Sequence, residues 1–271
     1  IVTTVFGGTS IHDNGPPEKA FLRGPGGISV DQQNNIYFAD IWNQRIRKID
    51  SNGIIKTIVG TGIAWDKGES GKAIDACLYQ PQSISHDDDN NLYIGDGIGK
   101  IKKVNSITKN IETIAGIGIQ GYDGDGGLAI KAKIGCPSAI AFDNNNNLYF
   151  SDTAFHVIRK IDNQGIITTI LGNGKAGFST DGTSCKNAMI DTPWGLAISK
   201  DNRIFISDSK NHSIRTISES NKIVTIIGDQ KNQTPSKKLE IIQPHGLCLY
   251  NNDKMLLVSD HCDNKIYSIN I

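Results

Sequence analysis

One register organises the whole chain. Pro25, Pro81, Pro137, Pro193 and Pro244 open similar segments at intervals of 56, 56, 56 and 51 residues. Asp40, Asp96, Asp152, Asp208 and Asp260 recur at 56, 56, 56 and 52. Two markers kept in step over 271 residues define a repeat architecture, in which each unit buries its apolar surface against its neighbours.

Within a unit the signals are those of strands and turns. An alternating run follows each proline, as in Ala139-Ile140-Ala141-Phe142, and a polar turn such as Asn144 to Asn147 comes next. Asn and Asp suit the positive-φ positions of a tight hairpin. A second apolar strand ends on the marker aspartate, as in Leu148-Tyr149-Phe150-Ser151-Asp152. The third is Val157-Ile158-Arg159-Lys160-Ile161, whose alternation predicts buried isoleucines and solvated basic residues. A fourth, Ile54 to Gly60, is echoed at Ile111 to Gly116, Ile166 to Gly172 and Ile223 to Gly228. Four antiparallel strands per repeat make a propeller blade, and five repeats give five blades.

The last unit stops at Ile271 after its third strand. The chain opens with Ile1-Val2-Thr3-Thr4-Val5-Phe6-Gly7, in which Thr4 aligns with Thr57, Thr113, Thr169 and Thr225 of the fourth strands. The expected fold is therefore an all-β, five-bladed propeller over residues 1–271, a single domain closed by the N-terminal strand completing the last blade. Such closure removes two unpaired sheet edges. The chain begins with Ile1 rather than Met, which predicts a processed protein or a segment of a longer one.

The set Gly121-Tyr122-Asp123-Gly124-Asp125-Gly126-Gly127, Pro137, Asn147 to Asp152 and Ile158 to Asp162 resembles the NHL-repeat family, in a subgroup with Gly-rich insertions between blades. The resemblance covers essentially the whole chain. It implies a propeller but no single function, because propellers of this family serve in protein binding, RNA binding, sensing and occasionally catalysis.

A residue present in every blade is expected to be structural, whereas a ligand site must break the symmetry. The marker aspartates fail as catalytic candidates on that test, and they are expected to accept backbone N–H bonds. His156 and His212 share one repeat position with Gln44 and Asn264 and read as polar loop residues. Asp123-Gly124-Asp125-Gly126-Gly127 looks like the start of a calcium loop but lacks the later acidic ligands, so a glycine-demanding turn is the better reading. Cys248 aligns with Ser29, Ser85, Ala141 and Ala197 and is expected to be a buried small hydrophobe, while Cys262 lies in a loop. With five cysteines, at least one is unpaired within the chain.

Related peptide-amidating lyases place zinc-binding histidines directly after the blade-opening prolines. Here those positions are Gly26, Gln82, Ser138, Trp194 and His245, and one imidazole cannot make a three-ligand zinc site. No catalytic residue, metal or cofactor is expected. The strand-three residues Arg45, Arg47, Lys48, Lys100, Lys102, Lys103, Arg159, Lys160 and Arg215 would decorate the circumference rather than one mouth. With 28 basic and 28 acidic residues in balance, a nucleic-acid partner is not favoured. No apolar run approaches the roughly 18 residues of a membrane helix, so no membrane insertion is expected.

The loops break the symmetry. Trp42, Trp65, Trp194, His245 and His261 are the candidate ligand-binding residues, the alternative being aromatic packing between loops. The expected function is a non-enzymatic recognition or scaffold module for a protein or glycan ligand at a loop-rich mouth. The alternatives are a metal-dependent propeller enzyme of the hydrolase or lyase class and an RNA-binding propeller. The sequons Asn211-His212-Ser213 and Asn232-Gln233-Thr234 lean toward an extracellular or cell-surface setting.

Overall fold

The computed structural model describes residues 13–66, 70–228 and 241–271. Blade one comprises Pro25–Val30, Ile36–Asp40, Arg45–Ile49 and Ile55–Val59. Blade two comprises Pro81–His86, Leu92–Asp96, Lys100–Val104 and Asn110–Ala115, and blade three Pro137–Phe142, Leu148–Asp152, Val157–Ile161 and Ile167–Leu171. Blade four comprises Pro193–Ile198, Ile204–Asp208, Ser213–Ile217 and Ile223–Ile227, and blade five Pro244–Tyr250, Met255–Asp260 and Lys265–Asn270. Every blade is an antiparallel meander. The five follow one another around one axis as a five-bladed β-propeller, with the first strands innermost. The strand expected at residues 1–7 lies outside the described residues.

Each polar turn is locked by side chains. Asp31 accepts hydrogen bonds from the Asn35 backbone N–H and side chain and from the Tyr37 hydroxyl. Asp87 and Asp143 repeat the arrangement with Asn91 and Tyr93, and with Asn147 and Tyr149. Asn34, Asn90, Asn146 and Asn202 take the positive φ that these hairpins demand.

The core is a series of interfaces between blades. Ala39, Ile46 and Val59 of blade one pack against Ile84, Leu92 and Ile94 of blade two, and the next three seams repeat this. The seam facing blade one from blade five differs. Ile28 is 62% exposed where its counterpart Ile84 is 5%, and Ile266 is 74% exposed where Ile46 is fully buried. Cys248 lies on this face and is exposed, contrary to the expectation of a buried residue. Its counterpart Ala197 is covered by blade five, whereas among the described residues no sheet packs over Cys248. All five cysteines are free.

The insertions between blades are structural. The first, third and fourth each place an aspartate 34 residues before an arginine on the third strand of the blade that follows. Asp13 meets Arg47 at 2.9 Å, Asp125 meets Arg159 at 2.6 Å, and Asp181 meets Arg215 at 3.8 Å. Asp66 takes the same part toward Lys100 and Lys102, at 2.6 and 3.5 Å. The three arginines and Lys102 are completely buried. This corrects the expectation of solvation for these four, while Arg45, Lys48, Lys103 and Lys160 stay partly exposed: the alternation puts the buried ones under the insertion, where burial requires a paired carboxylate. The aspartates also accept the Thr57, Thr169 and Thr225 backbone N–H groups on the outer strands. Asp123 accepts the Lys133 N–H, so both carboxylates of the supposed calcium loop have protein partners.

The marker aspartates are buried and bind the loop that precedes the same blade. Asp40 accepts from Arg23 N–H, Asp96 from Tyr79, Asp152 from Gly135 and Cys136, Asp208 from Asp191, and Asp260 from Ile242 and Gln243. Burial pushes Asp96 up to about 7, and Asp152 and Asp208 up to about 6.

Candidate functional site

Because the first strand of each blade starts, and the second ends, at the same end of the propeller, the residues just after the prolines and just after the marker aspartates share one mouth. A cavity of about 880 Å³ opens there, lined from the first strands of all five blades. Its wall is uneven.

On one arc, three flat rings form a ladder. Trp194, second residue of blade four's first strand, stacks on His245, its counterpart in blade five, with ring centroids 4.5 Å apart and planes 8° from parallel. His245 stacks in turn on His261, which follows Asp260, at 4.7 Å and 7°. Close approach of the two blades makes this possible: Gly195 lies against the His245 carbonyl, so that a side chain there would collide with it. Ser207 reinforces the contact by donating its hydroxyl to that carbonyl at 2.9 Å. Burial, then the neighbouring His261, push the His245 pKa down to about 4, so this ring is uncharged at neutral pH.

Trp42 lines the same cavity from blade one. It is held over Gly24 by a short helical turn, Ile41–Asn43, and is 51% exposed. The opposite arc carries Gln82 and Ser138, small neutral groups. Trp65, 67% exposed, does not line the cavity. Four of the five candidate residues thus meet at one mouth and the fifth stands apart.

His156 and His212 serve structure. Both occupy left-handed positions ending short helical turns. The Thr192 N–H donates to His156 Nδ1 at 3.1 Å, and His212 Nδ1 meets the Ile242 carbonyl, each reaching into the next blade. Gln44 does the same by accepting the Gln80 N–H. Asn211 is 4% exposed and donates to the Gly177 carbonyl and Asp208, which leaves its sequon inaccessible in the folded chain. Asn232 lies outside the described residues. Among the described residues no group of three or more His, Cys, Asp or Glu could hold a metal ion, and no helix is long and apolar enough to cross a membrane.

The sequence reading missed the pairing of insertion aspartates with buried arginines. The constant separation of 34 residues between Asp13 and Arg47, and between Asp125 and Arg159, was the signal available for it.

Comparison with known proteins gives the fold its relatives. Among solved structures, a Bacteroides thetaiotaomicron protein of unknown function aligns with TM-score 0.61 and 17% identity, over 99% of this chain and 75% of that one. A gluconolactonase from Xanthomonas campestris aligns with TM-score 0.61 and 12% identity, over 92% and 76%. Virginiamycin B lyase from Staphylococcus aureus aligns with TM-score 0.57 and 16% identity, over 91% and 68%. Likeness at such low identity concerns the fold alone. In sequence, human Teneurin-4 is 27% identical over 97% of this chain, and human Teneurin-1 is 30% identical over 76%. Teneurin-m of Drosophila melanogaster is 26% identical over 79%. The chain spans only 10% of Teneurin-4 and 8% of Teneurin-1 and Teneurin-m. The NHL repeat pattern matches residues 191–217, and the Teneurin NHL domain pattern matches residues 6–65 and 98–180, more than half of the chain; the protein belongs to the Teneurin NHL domain family.

Proposed function

We propose that this propeller is a non-enzymatic recognition module that holds a protein ligand at its mouth, with Trp194, His245, His261 and Trp42 as the contact face. The observation that carries this reading is the ring ladder on one arc of a cavity whose other arc is plain. A shelf of parallel rings offers flat apolar surface at low entropic cost. An aromatic or guanidinium side chain of a partner can continue such a stack. Trp65 stands outside this contact face. Membership of a family whose relatives named here are all teneurins supports recognition over catalysis; the lyase and the gluconolactonase share only the fold.

The test is selection of a random displayed-peptide library on the full chain, followed by calorimetry with the best peptide. Peptides rich in Tyr, Trp and Arg are expected. Trp194→Ala and Trp42→Ala should each weaken them by about 2 kcal/mol, as aromatic anchors do, with the melting transition preserved. Peptides that bind both variants as tightly as the parent overturn the reading. A glycan array that gives specific binding lost in Trp194→Ala, with no peptide selected, would replace the protein ligand by a sugar.

A further inference from the structure

The seam between blades one and two holds a second cavity, of about 390 Å³, at the end of the strands away from the mouth. Its floor is apolar, built from Ile58, Ile74, Leu92 and Val104. Tyr37 and His86 meet edge to face within it, with centroids 4.6 Å apart and planes at 68°. Lys48, Lys56, Lys72 and Lys109 also line it.

Few of these cations are neutralised. Lys72 donates to the Thr108 carbonyl at 3.2 Å and Lys109 to the Ser106 carbonyl, which orient an ammonium group without cancelling its charge. Lys48 lies 5.3 Å over the Tyr37 ring. Burial first, and then the nearby Lys56 and Lys109, lower the Lys48 pKa, while Asp31 and Asp50 oppose the shift. Asp31 has its oxygens occupied by Asn35, Gln33 and Tyr37. Asp50 accepts the Asn52 and Ile54 N–H groups and lies 3.8 Å from Lys56. Four lysines line the cleft with no Asp or Glu among its lining residues, and the two carboxylates that act on Lys48 are already engaged with their own turns.

The cluster also breaks the symmetry of the repeat. Strand registers place Lys56 level with Glu112, Lys72 level with Leu128, and His86 level with Phe142 at the next seam. The counterpart of Lys109, at a left-handed turn position, is Gly165. The neighbouring seam keeps the Lys103–Tyr93 pair that matches Lys48 and Tyr37, but none of the other cations. The blades pack without this charge, so it is not required for the fold.

We propose that this cleft binds a small amphiphilic anion, with its apolar body on the Ile58, Leu92 and Val104 floor and its acid group on the lysine rim. The volume lies in the range of small-molecule sites, and an apolar lining with a few convergent charged groups is their usual chemistry. A medium-length acyl or aryl carboxylate or sulfonate meets both demands. Inorganic phosphate lacks the body and an alcohol lacks the charge.

The probe is anilinonaphthalene sulfonate, titrated by fluorescence on the full chain at low salt. Saturable binding should be displaced by octanoate but not by octanol or inorganic phosphate. Lys56→Glu combined with Lys72→Leu installs the residues of the next seam at these two positions. It should weaken both the probe and octanoate by about tenfold or more, as loss of charge-assisted contacts implies. Lys109→Gly, which relieves a φ of 57°, should fold at least as well as the parent and weaken them in the same direction. Displacement by octanol equal to that by octanoate, or unchanged affinity in these variants, overturns the proposal. Loss of probe binding in Trp42→Ala or Trp194→Ala would also overturn it, by placing the probe at the mouth. The mouth reading stands or falls on its own peptides.

Discussion

Asp152 provides a test in which removing a charge should cost least where the charge is fully formed. Its carboxylate is buried, accepts the Gly135 N–H at 2.8 Å and the Cys136 N–H at 3.2 Å, and feels Arg159. Burial nevertheless outweighs these partners and raises its pKa to about 6. A carboxyl group whose folded value exceeds its unfolded value binds its proton more tightly in the native state. Its contribution to stability is complete below about pH 4 and is lost as pH rises through about 6. A shift of about two units corresponds to about 3 kcal/mol. Asparagine at this position does not titrate, but turns an amide NH₂ toward one of the two backbone donors, which costs about 1–3 kcal/mol. The stability gap between the parent and Asp152→Asn should therefore be widest near pH 4 and narrow by about 2–3 kcal/mol by pH 8. Urea denaturation followed by tryptophan fluorescence at several pH values measures the gap directly, and other titrating groups cancel in the difference. A gap that widens with rising pH would show that Arg159 holds Asp152 ionised, refuting the dominance of burial.

Other perturbations address other parts of the structure. Gly195→Ala should drive a Cβ into the His245 carbonyl and lower stability by more than about 2 kcal/mol; Gly15→Ala, which meets nothing within 4 Å, should stay within about 0.5 kcal/mol in the same melting assay. His245 has its pKa lowered to about 4 by burial and His261, so its contribution is present above about pH 6.5 and lost as pH falls toward 4. His245→Gln should accordingly flatten the loss of melting temperature on acidification. An unchanged acid limb would show that this ring is freely protonated. A chromogenic disulfide reagent should modify Cys248 and Cys262 rapidly in the native protein while Cys77 and Cys185 react only on unfolding; protection of Cys248 would show that its face of blade five is covered.

The blade plan was legible because a period of 56 residues aligns prolines, aspartates and turns independently of any contact. Asn34 and Asn90 declared their hairpins through residue type alone. The strand-three cations were misread because alternation within a strand reports which residues share a face, not what covers that face. Arg47 and Arg159 lie beneath insertions that return from far along the chain. Cys248 failed for a related reason: its repeat position predicts burial only where a neighbouring blade covers it, and the face toward blade one is exposed. At the mouth, strand direction put Trp42, Trp194, His245 and His261 at one end. The parallel stacking depends on how closely blades four and five approach, which residue types do not encode. The lysine cleft is split between two blades and an insertion, so no local segment announces it.

The insertion contacts redraw the boundaries of the module. Among the described residues, each insertion before blades one to four bridges to the outer strand of the blade after it, at Gly15 with Ile55, Gly71 with Ile111, Leu128 with Ile166 and Ser184 with Lys222. It thereby shields the edge that would otherwise be free to pair with another chain. Its aspartate holds the third strand of that same blade. A transplant of blade three cut at Pro137 would carry Arg159 into its new host without Asp125 and with an uncovered outer edge. A cut made just after Gly116 would carry the guard along with the blade. The segment that carries its own buried ion pair and its own edge guard starts at the insertion, and the proline that looks like its beginning lies well inside it.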